Sequence, residues 1–221
     1  TALSQDIGAA NTAALMNAYL TEMTELIFDS RGTLDKYIGD AVVAFWGAPL
    51  DVEAHPQRVA EVALSMQEKV AELRGHRPDV AGADRLRIGI GIHTAEVVVG
   101  NLGSELRFDY TIIGDGVNLC SRLEGLTKYY GVGIIASSAL TQDLPDDVCI
   151  RELDTIQVVG KDESTRIFEI CEPATVQKDR SELLEKYAAA LEAFRSGDWR
   201  KAEQLAKQVQ HMLGGKDPDG P

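Results

Sequence analysis

The sequence predicts an α+β fold, in which strand hairpins and helices follow one another along the chain. The prediction depends first on the spacing of apolar residues, which changes repeatedly between the period of a helix and that of a strand. It also depends on length and composition, since 221 residues that are 44% hydrophobic and 26% charged suffice for one sizeable domain with an appendage.

The first third of the chain predicts two helices on either side of a hairpin. From residue 11 to 29 the apolar residues recur at spacings of four, three and four, which is one face of a helix: Met16, Leu20, Met23 and Ile27. Residues 32–49 predict two strands around the turn "IGD", and the apolar run "AVVAFW" predicts a strand covered on both faces and thus a buried hairpin. A second helix starts near Pro56 and ends before the loop at 75–82.

The middle of the chain predicts further strands and a third helix. Residues 86–104 predict two glycine-interrupted strands around His93 and Thr94. Residues 107–131 predict a short strand that runs into a helix, and Gly131 is its expected end. Three more strands are expected in the segments "GVGIIAS", "CIRELDTIQVVGK" and "TRIFEIC".

Composition shifts at "EPATVQKDR", so we divide the chain into a domain of residues 1–172 and an extension of residues 173–221. The extension predicts two helices, Ser181 to Arg195 and Trp199 to Leu213, and resembles a single tetratricopeptide-type helical hairpin. One such unit cannot bury its own apolar face, so we expect it to pack on the main domain or on another chain. The last segment, "GGKDPDGP", is expected to be a frayed tail or a linker.

Charge and cysteine content exclude several classes of function. A formal net charge of −13 argues against broad binding of nucleic acid or anionic membranes. Three widely spaced cysteines, Cys120, Cys149 and Cys171, suggest neither a disulfide framework nor a zinc site, and a reducing cytoplasm is expected. No apolar run approaches the roughly 18 residues of a membrane span. We therefore expect no membrane contact by this chain, while an anchor outside it stays open.

Asp40 is the first candidate for chemistry. A carboxylate at an exposed turn between two strands suits a hard cation such as Mg²⁺, which keeps waters and substrate phosphates as its other ligands. The alternative is that Gly39 and Asp40 simply form the turn, where aspartate is common. On this motif alone the alternative is favoured.

One amide and three cationic side chains are weaker candidates. Asn118 and Arg122 stand four residues apart on one helix face, where they suit a sugar oxygen and a phosphate. The alternative, a solvated helix face or a salt bridge to a carboxylate such as Glu124, is favoured on this pair alone. Lys161 follows a glycine at a strand end, and Arg107 lies in "SELRFDY"; each alone can be an ordinary surface charge.

Together and in this order, these segments resemble the catalytic domain of class III nucleotide cyclases, the adenylate and guanylate cyclases. The resemblance covers about residues 1–172 and rests on "GTLDKYIGDAVVAFWGAP", "RIGIGIHTAEVVVGNLGSELRFDYTIIGDGVNLCSRLE" and "VVGK". It implies a ferredoxin-like βαββαβ core. The first strand of that core carries the first of two metal-binding aspartates, whereas this chain opens at "TALSQ", so we expect the strand and the aspartate upstream in the parent protein.

The resemblance also implies roles for the residues around the hairpin. Asp40 corresponds to the second metal-binding aspartate, one ligand for the two Mg²⁺ or Mn²⁺ ions that the family uses at each site. Lys36 and Thr111 fall where the family selects its purine. A lysine with a threonine implies adenine, whereas guanylate cyclases are expected to carry glutamate and cysteine, and this pairing resembles a bacterial subgroup often stimulated by bicarbonate.

By the same resemblance, Asn118 orients the ribose and Arg122 meets charge that develops on the phosphate. Lys161 and Arg107 correspond to triphosphate ligands. The family forms head-to-tail homodimers with two shared sites, so Asp40 and Lys36 of one chain are expected to serve different sites.

The function implied is that of an adenylate cyclase, which converts ATP to cyclic AMP and pyrophosphate by two-metal catalysis. A catalytically silent cyclase-like module that dimerises or binds a nucleotide is the rival from another class, and a guanylate cyclase is the nearer rival. Absence of the first aspartate leaves open whether this stretch is active alone. The helical extension resembles that of receptor-type bacterial cyclases, which implies a membrane-anchored parent with its catalytic part in the cytoplasm.

Overall fold

The structure is a computed structural model that describes residues 2–76, 80–157, 164–171 and 178–212. It confirms an α+β fold. The helices are α1 (Ala2–Ile7), α2 (Ala9–Asp29), α3 (His55–His76), α4 (Asp115–Tyr130), α5 (Ser138–Thr141), α6 (Lys178–Arg195) and α7 (Trp199–Met212), with a 3₁₀ turn at Ala83–Arg85. The strands are β1 (Thr33–Ile38), β2 (Ala41–Phe45), β3 (Ile90–Ile92), β4 (Val98–Gly103), β5 (Phe108–Ile113), β6 (Ile134–Ser137), β7 (Ile150–Gln157) and β8 (Ser164–Ile170).

The described strands form three separate sheets. Strands β1 and β2 form one antiparallel hairpin, and β4 and β5 form another. The remaining strands form a four-stranded sheet in the order β3-β6-β8-β7, in which β3 and β6 are parallel and the other pairs are antiparallel. Side chains, not backbone hydrogen bonds, connect β1 to β5, and periodicity along the chain cannot predict such pairing.

The four-stranded sheet is covered by a helix on each face, as alternation along β6 shows. Ile134 and Ala136 pack with Ala60 and Ala63 of α3, whereas Ile135 between them packs with Leu123 of α4. Successive side chains of a strand point to opposite faces, so a fully buried strand needs cover on both sides. The core therefore lies between α3, this sheet and α4.

Helix α4 approaches β3 unusually closely because two glycines of "RIGIGIH" leave room for it. A Cβ at Gly91 would collide with the carbonyl oxygen of Cys120 and the backbone nitrogen of Glu124. A Cβ at Gly89 would collide with the hydroxyl of Thr127. The helix ends where the sequence predicts, with Gly131 in the left-handed conformation at φ 66°.

The β1–β2 hairpin forms where predicted, but the prediction that it is buried on both faces is wrong for the described residues. Val42 packs against the cluster that α2 and α3 share. Tyr37 and Ile38 are exposed, as is the turn at Gly39 and Asp40. An apolar run indicates which residues favour burial. Whether they are buried depends on elements that lie far away in the sequence.

Helix α2 is longer than its apolar pattern predicts and is rotated slightly about its axis. Its buried residues are Leu15, Tyr19, Met23 and Ile27. The predicted face, with Met16 and Leu20, therefore lies at the edge of the buried one. Tyr19 is included because its ring packs with Met23 and Val70 in one cluster.

The C-terminal helices pack on the main domain through β7. Arg195 Nη1 donates a 2.7 Å hydrogen bond to Glu152 Oε1, and the guanidinium of Arg151 lies 5.0 Å from the ring centre of Tyr187 on α6. The domain boundary at residues 172 and 173, the end of the second predicted helix at Leu213, and the predicted tail lie outside the described residues, so the boundary stays a prediction.

None of Cys120, Cys149 and Cys171 forms a disulfide bond. Burial, with a smaller contribution from Glu124, raises the pKa of the Cys120 thiol to about 11, and the thiol donates a hydrogen bond to the carbonyl oxygen of Gly91.

Within the described ranges, no helix combines the length and the apolar character that crossing a membrane requires.

Candidate active site

Lys36 and Thr111, which are 75 residues apart in sequence, meet in the structure. Lys36 Nζ donates a 2.9 Å hydrogen bond to Thr111 Oγ1. Lys36 extends from β1 with 44% of its side chain exposed, whereas Thr111 is buried in β5. The two residues that the sequence assigns to purine selection thus present an ammonium donor and a hydroxyl side by side.

A third residue, Asp35, completes this cluster, although none of the candidate motifs in the sequence includes it as a site residue. Thr111 Oγ1 donates a 2.9 Å hydrogen bond to Asp35 Oδ2, and Lys36 Nζ lies 3.5 Å from Asp35 Oδ1. Only 2% of the Asp35 side chain is exposed. A buried carboxylate without a cation nearby is costly, so Lys36 also has a local electrostatic role.

An irregularity in the β1–β2 ladder brings adjacent residues of one strand into the same cluster. Leu34 pairs with Ala44, but Lys36 pairs with Val43, so Asp35 is one residue in excess. In a regular strand neighbouring side chains point to opposite faces, and a β-bulge redirects one of them. Two adjacent charged residues, Asp35 and Lys36, within an apolar strand pattern were the sequence feature that could have indicated this.

Asp40 is exposed in the turn between β1 and β2, after Gly39, whose φ of 65° belongs to the left-handed region. Its charge acts on α2, because burial together with the carboxylates of Asp40 and Glu124 raises the pKa of the Tyr19 hydroxyl to about 12. Lys36 is directed towards β5 instead. The two charged residues of this hairpin therefore lie in different surroundings.

The donor groups around Asp40 show what kind of metal ion would fit there. Asp40 offers one exposed carboxylate, which suits Mg²⁺ or Mn²⁺, since Mg²⁺ keeps several waters and binds one or two carboxylates plus phosphates. Across the described ranges, no three His, Cys, Asp or Glu side chains form a group that could hold a metal. The described residues thus fit an ion held by one carboxylate, water and substrate phosphate, and not an ion enclosed by protein.

Asn118 and Arg122 are both exposed on α4. Leu119 and Leu123, which lie between and beside them in sequence, are buried against the sheet. The spacing of four residues therefore places the amide and the guanidinium on the solvent side of the helix, as the sequence predicts. Close packing of α4 on β3 fixes the position of that side.

Arg107 is not brought to the Lys36 cluster. Arg107 lies at the loop between β4 and β5, with its side chain 83% exposed and its Nη2 3.9 Å from Asp109 Oδ2. It is four residues from Thr111, about 13 Å along an extended strand. Lys161 lies outside the described residues.

Two cavities adjoin the C-terminal helices rather than these candidates. One of about 410 Å³ lies between α6 and α7, lined in part by Lys186 and His211. Another of about 250 Å³ lies between β7 and α6, lined in part by Arg151 and Tyr187. Neither of these two cavities is lined by a candidate site residue.

Comparison with known proteins is consistent with this arrangement. A sequence model of the adenylate and guanylate cyclase catalytic domain matches residues 1–170. An adenylate cyclase of Anabaena cylindrica is 36% identical over 174 residues, which cover 77% of this chain and 34% of that protein. This chain therefore spans about a third of the length of that relative.

Solved structures of both an adenylyl cyclase and a guanylyl cyclase have the same fold as this chain. The adenylyl cyclase CyaB from P. aeruginosa aligns with a TM-score of 0.68 and 31% identity, covering 77% of this chain and 87% of that chain. The guanylyl cyclase Cya2 aligns with a TM-score of 0.66 and 29% identity, covering 79% and 88%. Since the family match covers most of the chain and both kinds of cyclase share its fold, this chain belongs to the adenylate and guanylate cyclase family, as a class III nucleotide cyclase catalytic domain.

Proposed function

We propose that the chain is the catalytic domain of an adenylate cyclase, which converts ATP to 3′,5′-cyclic AMP and pyrophosphate. The observation that carries this proposal is the 2.9 Å hydrogen bond between Lys36 Nζ and Thr111 Oγ1. Adenine presents an acceptor at N1 beside an amino donor at N6, whereas guanine presents N1–H beside an acceptor at O6. A cationic donor next to a hydroxyl acceptor matches the adenine edge.

In the proposed reaction, the ribose 3′-oxygen attacks the α-phosphorus, and the bond from that phosphorus to pyrophosphate breaks. The 3′-hydroxyl loses its proton to solvent water, and pyrophosphate leaves with the electron pair of the broken bond. Asn118 orients the ribose for in-line attack. Arg122 stabilises charge as it develops on the phosphate, which is commonly the largest contribution in such transfers.

The metal would be held by Asp40. When bound, two Mg²⁺ or Mn²⁺ ions supply Lewis acidity, which lowers the pKa of the 3′-hydroxyl and offsets charge on the leaving pyrophosphate. Arg107 and Lys161 are proposed to bind the triphosphate. These cations and ions explain how a chain with a net charge of −13 can bind an anionic nucleotide.

We further propose that two chains form a head-to-tail homodimer with sites shared between them. One support is the hairpin itself, since Lys36 bonds to Thr111 of β5 while Asp40 is exposed in the turn, where a second chain can reach it. Another is the β4–β5 hairpin, which exposes apolar side chains, with Leu106 99% exposed and Phe108 and Val98 largely so. An apolar patch of this kind is typical of a protein interface.

The test is a cyclase assay with Mn²⁺ and either ATP or GTP, on this chain and on a version extended upstream. Cyclic AMP from ATP, with little product from GTP, is the expected result. Preference for GTP would overturn the purine assignment alone. No product from either nucleotide would favour the silent module. Two further proposals follow from the family resemblance. Addition of bicarbonate at constant pH tests whether bicarbonate activates the cyclase. Fractionation of cells tests whether the parent protein is membrane-anchored with this domain in the cytoplasm.

A further inference from the structure

We propose that Asp35 is a positioning residue that holds the Thr111 hydroxyl as a hydrogen-bond acceptor and thereby gives the site its preference for adenine over guanine. This inference rests on the proposed function, because it explains how a threonine can select a purine. A hydroxyl both donates and accepts, so threonine alone does not distinguish an amino group from a carbonyl oxygen.

The hydrogen bonds of the cluster remove that ambiguity. A threonine hydroxyl has one proton and two lone pairs. Its proton is donated to Asp35 Oδ2, because a carboxylate oxygen can only accept. One lone pair accepts from Lys36 Nζ, because an ammonium can only donate. What remains is one lone pair, so Thr111 can offer an incoming base only an acceptor.

That remaining acceptor discriminates between the purines. The N6 amino group of adenine donates to it, whereas O6 of guanine would meet it acceptor against acceptor. Lys36 Nζ has further protons for N1 of adenine, and its partial exposure leaves room for them to reach the base. A buried polar contact that cannot be satisfied makes the wrong ligand costly.

The fold gains little from a carboxylate at this position. The Asp35 side chain is almost fully buried, and its Oδ1 has no hydrogen-bond partner within the part of the chain that the structure describes, only the Lys36 ammonium at 3.5 Å. Burying a carboxylate is unfavourable, and an ion pair with a partly exposed lysine offsets only part of that cost. The bulge at Asp35 also interrupts the ladder. Both features have a reason if the carboxylate fixes the direction of the hydroxyl.

The experiment compares Asp35→Leu with the unsubstituted full-length protein. The ratio of kcat/KM for ATP to that for GTP is measured with Mn²⁺, and competition of ATP and GTP with a fluorescent ATP analogue is measured with Ca²⁺. In Asp35→Leu the hydroxyl can turn its proton towards O6, so we expect the ATP to GTP ratio to fall about tenfold or more in both measurements. Asp35→Asn keeps an oxygen acceptor, and we expect it to keep part of the preference.

Two controls separate this role from general damage. Asp6→Asn removes a carboxylate that pairs with Arg85 at 2.8 Å, far from the cluster in sequence, and should leave the ratio unchanged. In a Thr111→Val background there is no hydroxyl to orient, so Asp35→Leu should then change the ratio no further. Thermal unfolding of each variant should show that Asp35→Leu is folded, because Lys36 is exposed enough to stay hydrated.

The outcomes are distinguishable. An unsubstituted protein that prefers GTP overturns the proposed purine and this inference together. A protein that prefers ATP and keeps its full preference in a folded Asp35→Leu variant overturns this inference alone. Equal effects of Asp35→Leu with Thr111 and with Val at position 111 would also overturn it, because Asp35 would then act by another route. Since the binding measurement needs no turnover, it tests the role of Asp35 in a catalytically silent chain as well.

Discussion

Lys36, which we propose binds adenine, contacts both Thr111 and the buried Asp35 carboxylate. We expect Lys36→Ala to raise the KM for ATP about tenfold or more, with a smaller change in kcat, since a charged hydrogen bond to the base is lost. Steady-state kinetics with Mn²⁺ would measure this change.

A matched control for Lys36 is Lys69→Ala on α3. Lys69 is similarly exposed and pairs with Glu72 at 2.9 Å and Glu22 at 3.7 Å. The loss of charge is the same, but none of these residues is a site candidate. Equal increases in KM for the two variants would contradict a contact between Lys36 and adenine.

Asp40→Ala is expected to abolish turnover with little loss of stability. The residue is exposed in a turn, and substitutions at such positions usually change the free energy of unfolding by no more than about 0.5 kcal/mol. Loss of a metal ligand should instead lower kcat by about a hundredfold or more. Urea unfolding and a cyclase assay measure the two effects, and Asp51→Ala in the exposed loop after the hairpin is the control. Normal turnover of Asp40→Ala would show that the metal role is misassigned.

At the scale of elements, the contact between β3 and α4 depends on the absence of a side chain at Gly91. A Cβ there would collide with the backbone of α4, which has no flexible end that can move aside. We expect Gly91→Ala to lower the free energy of unfolding by about 1 to 3 kcal/mol. Activity should also fall, because the substitution displaces the helix that carries Asn118 and Arg122.

Gly125→Ala, on α4 itself, is the control for this prediction. Nothing lies within 4 Å of a Cβ built at Gly125. Alanine favours a helix interior over glycine by about 1 kcal/mol, so this variant should be neutral or more stable. Denaturant unfolding of both proteins compares them directly. If Gly91→Ala unfolds at the same denaturant concentration as the unsubstituted protein, the close approach of β3 and α4 is not as described.

At the scale of the whole molecule, the proposed dimer predicts complementation between inactive chains. An Asp40→Ala chain and an Arg122→Ala chain should each be inactive alone. In a mixed dimer one of the two shared sites contains neither substitution, so random exchange should restore about a quarter of full activity. The measurement is cyclic AMP formation after co-expression with two different affinity tags. A purified heterodimer without activity would rule out shared sites.

Much of the fold was predictable because the interactions that form it are local. Helices α2 and α4 follow from the spacing of apolar residues. The end of α4 follows from Gly131, whose φ favours glycine. The turn at Gly39 and Asp40 follows in the same way. By contrast, the predicted double burial of the hairpin was wrong, because cover for Tyr37 and Ile38 depends on elements far away in sequence.

The same difference between local sequence features and contacts over long sequence distances applies to the candidate site. Asp40, Asn118 and Arg122 were candidates from their residue types and spacing, whereas Lys36 and Thr111 were named only through the family resemblance. The sequence also determined the family, since its motifs extend over most of the chain. It could not reveal that Lys36 and Thr111 touch, because they are on strands without backbone pairing.

Only the tertiary structure identified Asp35. Alternation along a strand would turn it away from its neighbour Lys36, and one extra residue in the ladder reverses that. The docking of α6 on β7 through Arg195 and Glu152 was likewise decided by packing. The sequence by itself therefore determined the helices, the turns and the family, because local periodicity and the order of motifs encode them. Tertiary structure decided which distant side chains meet, because such contacts depend on register and packing between elements.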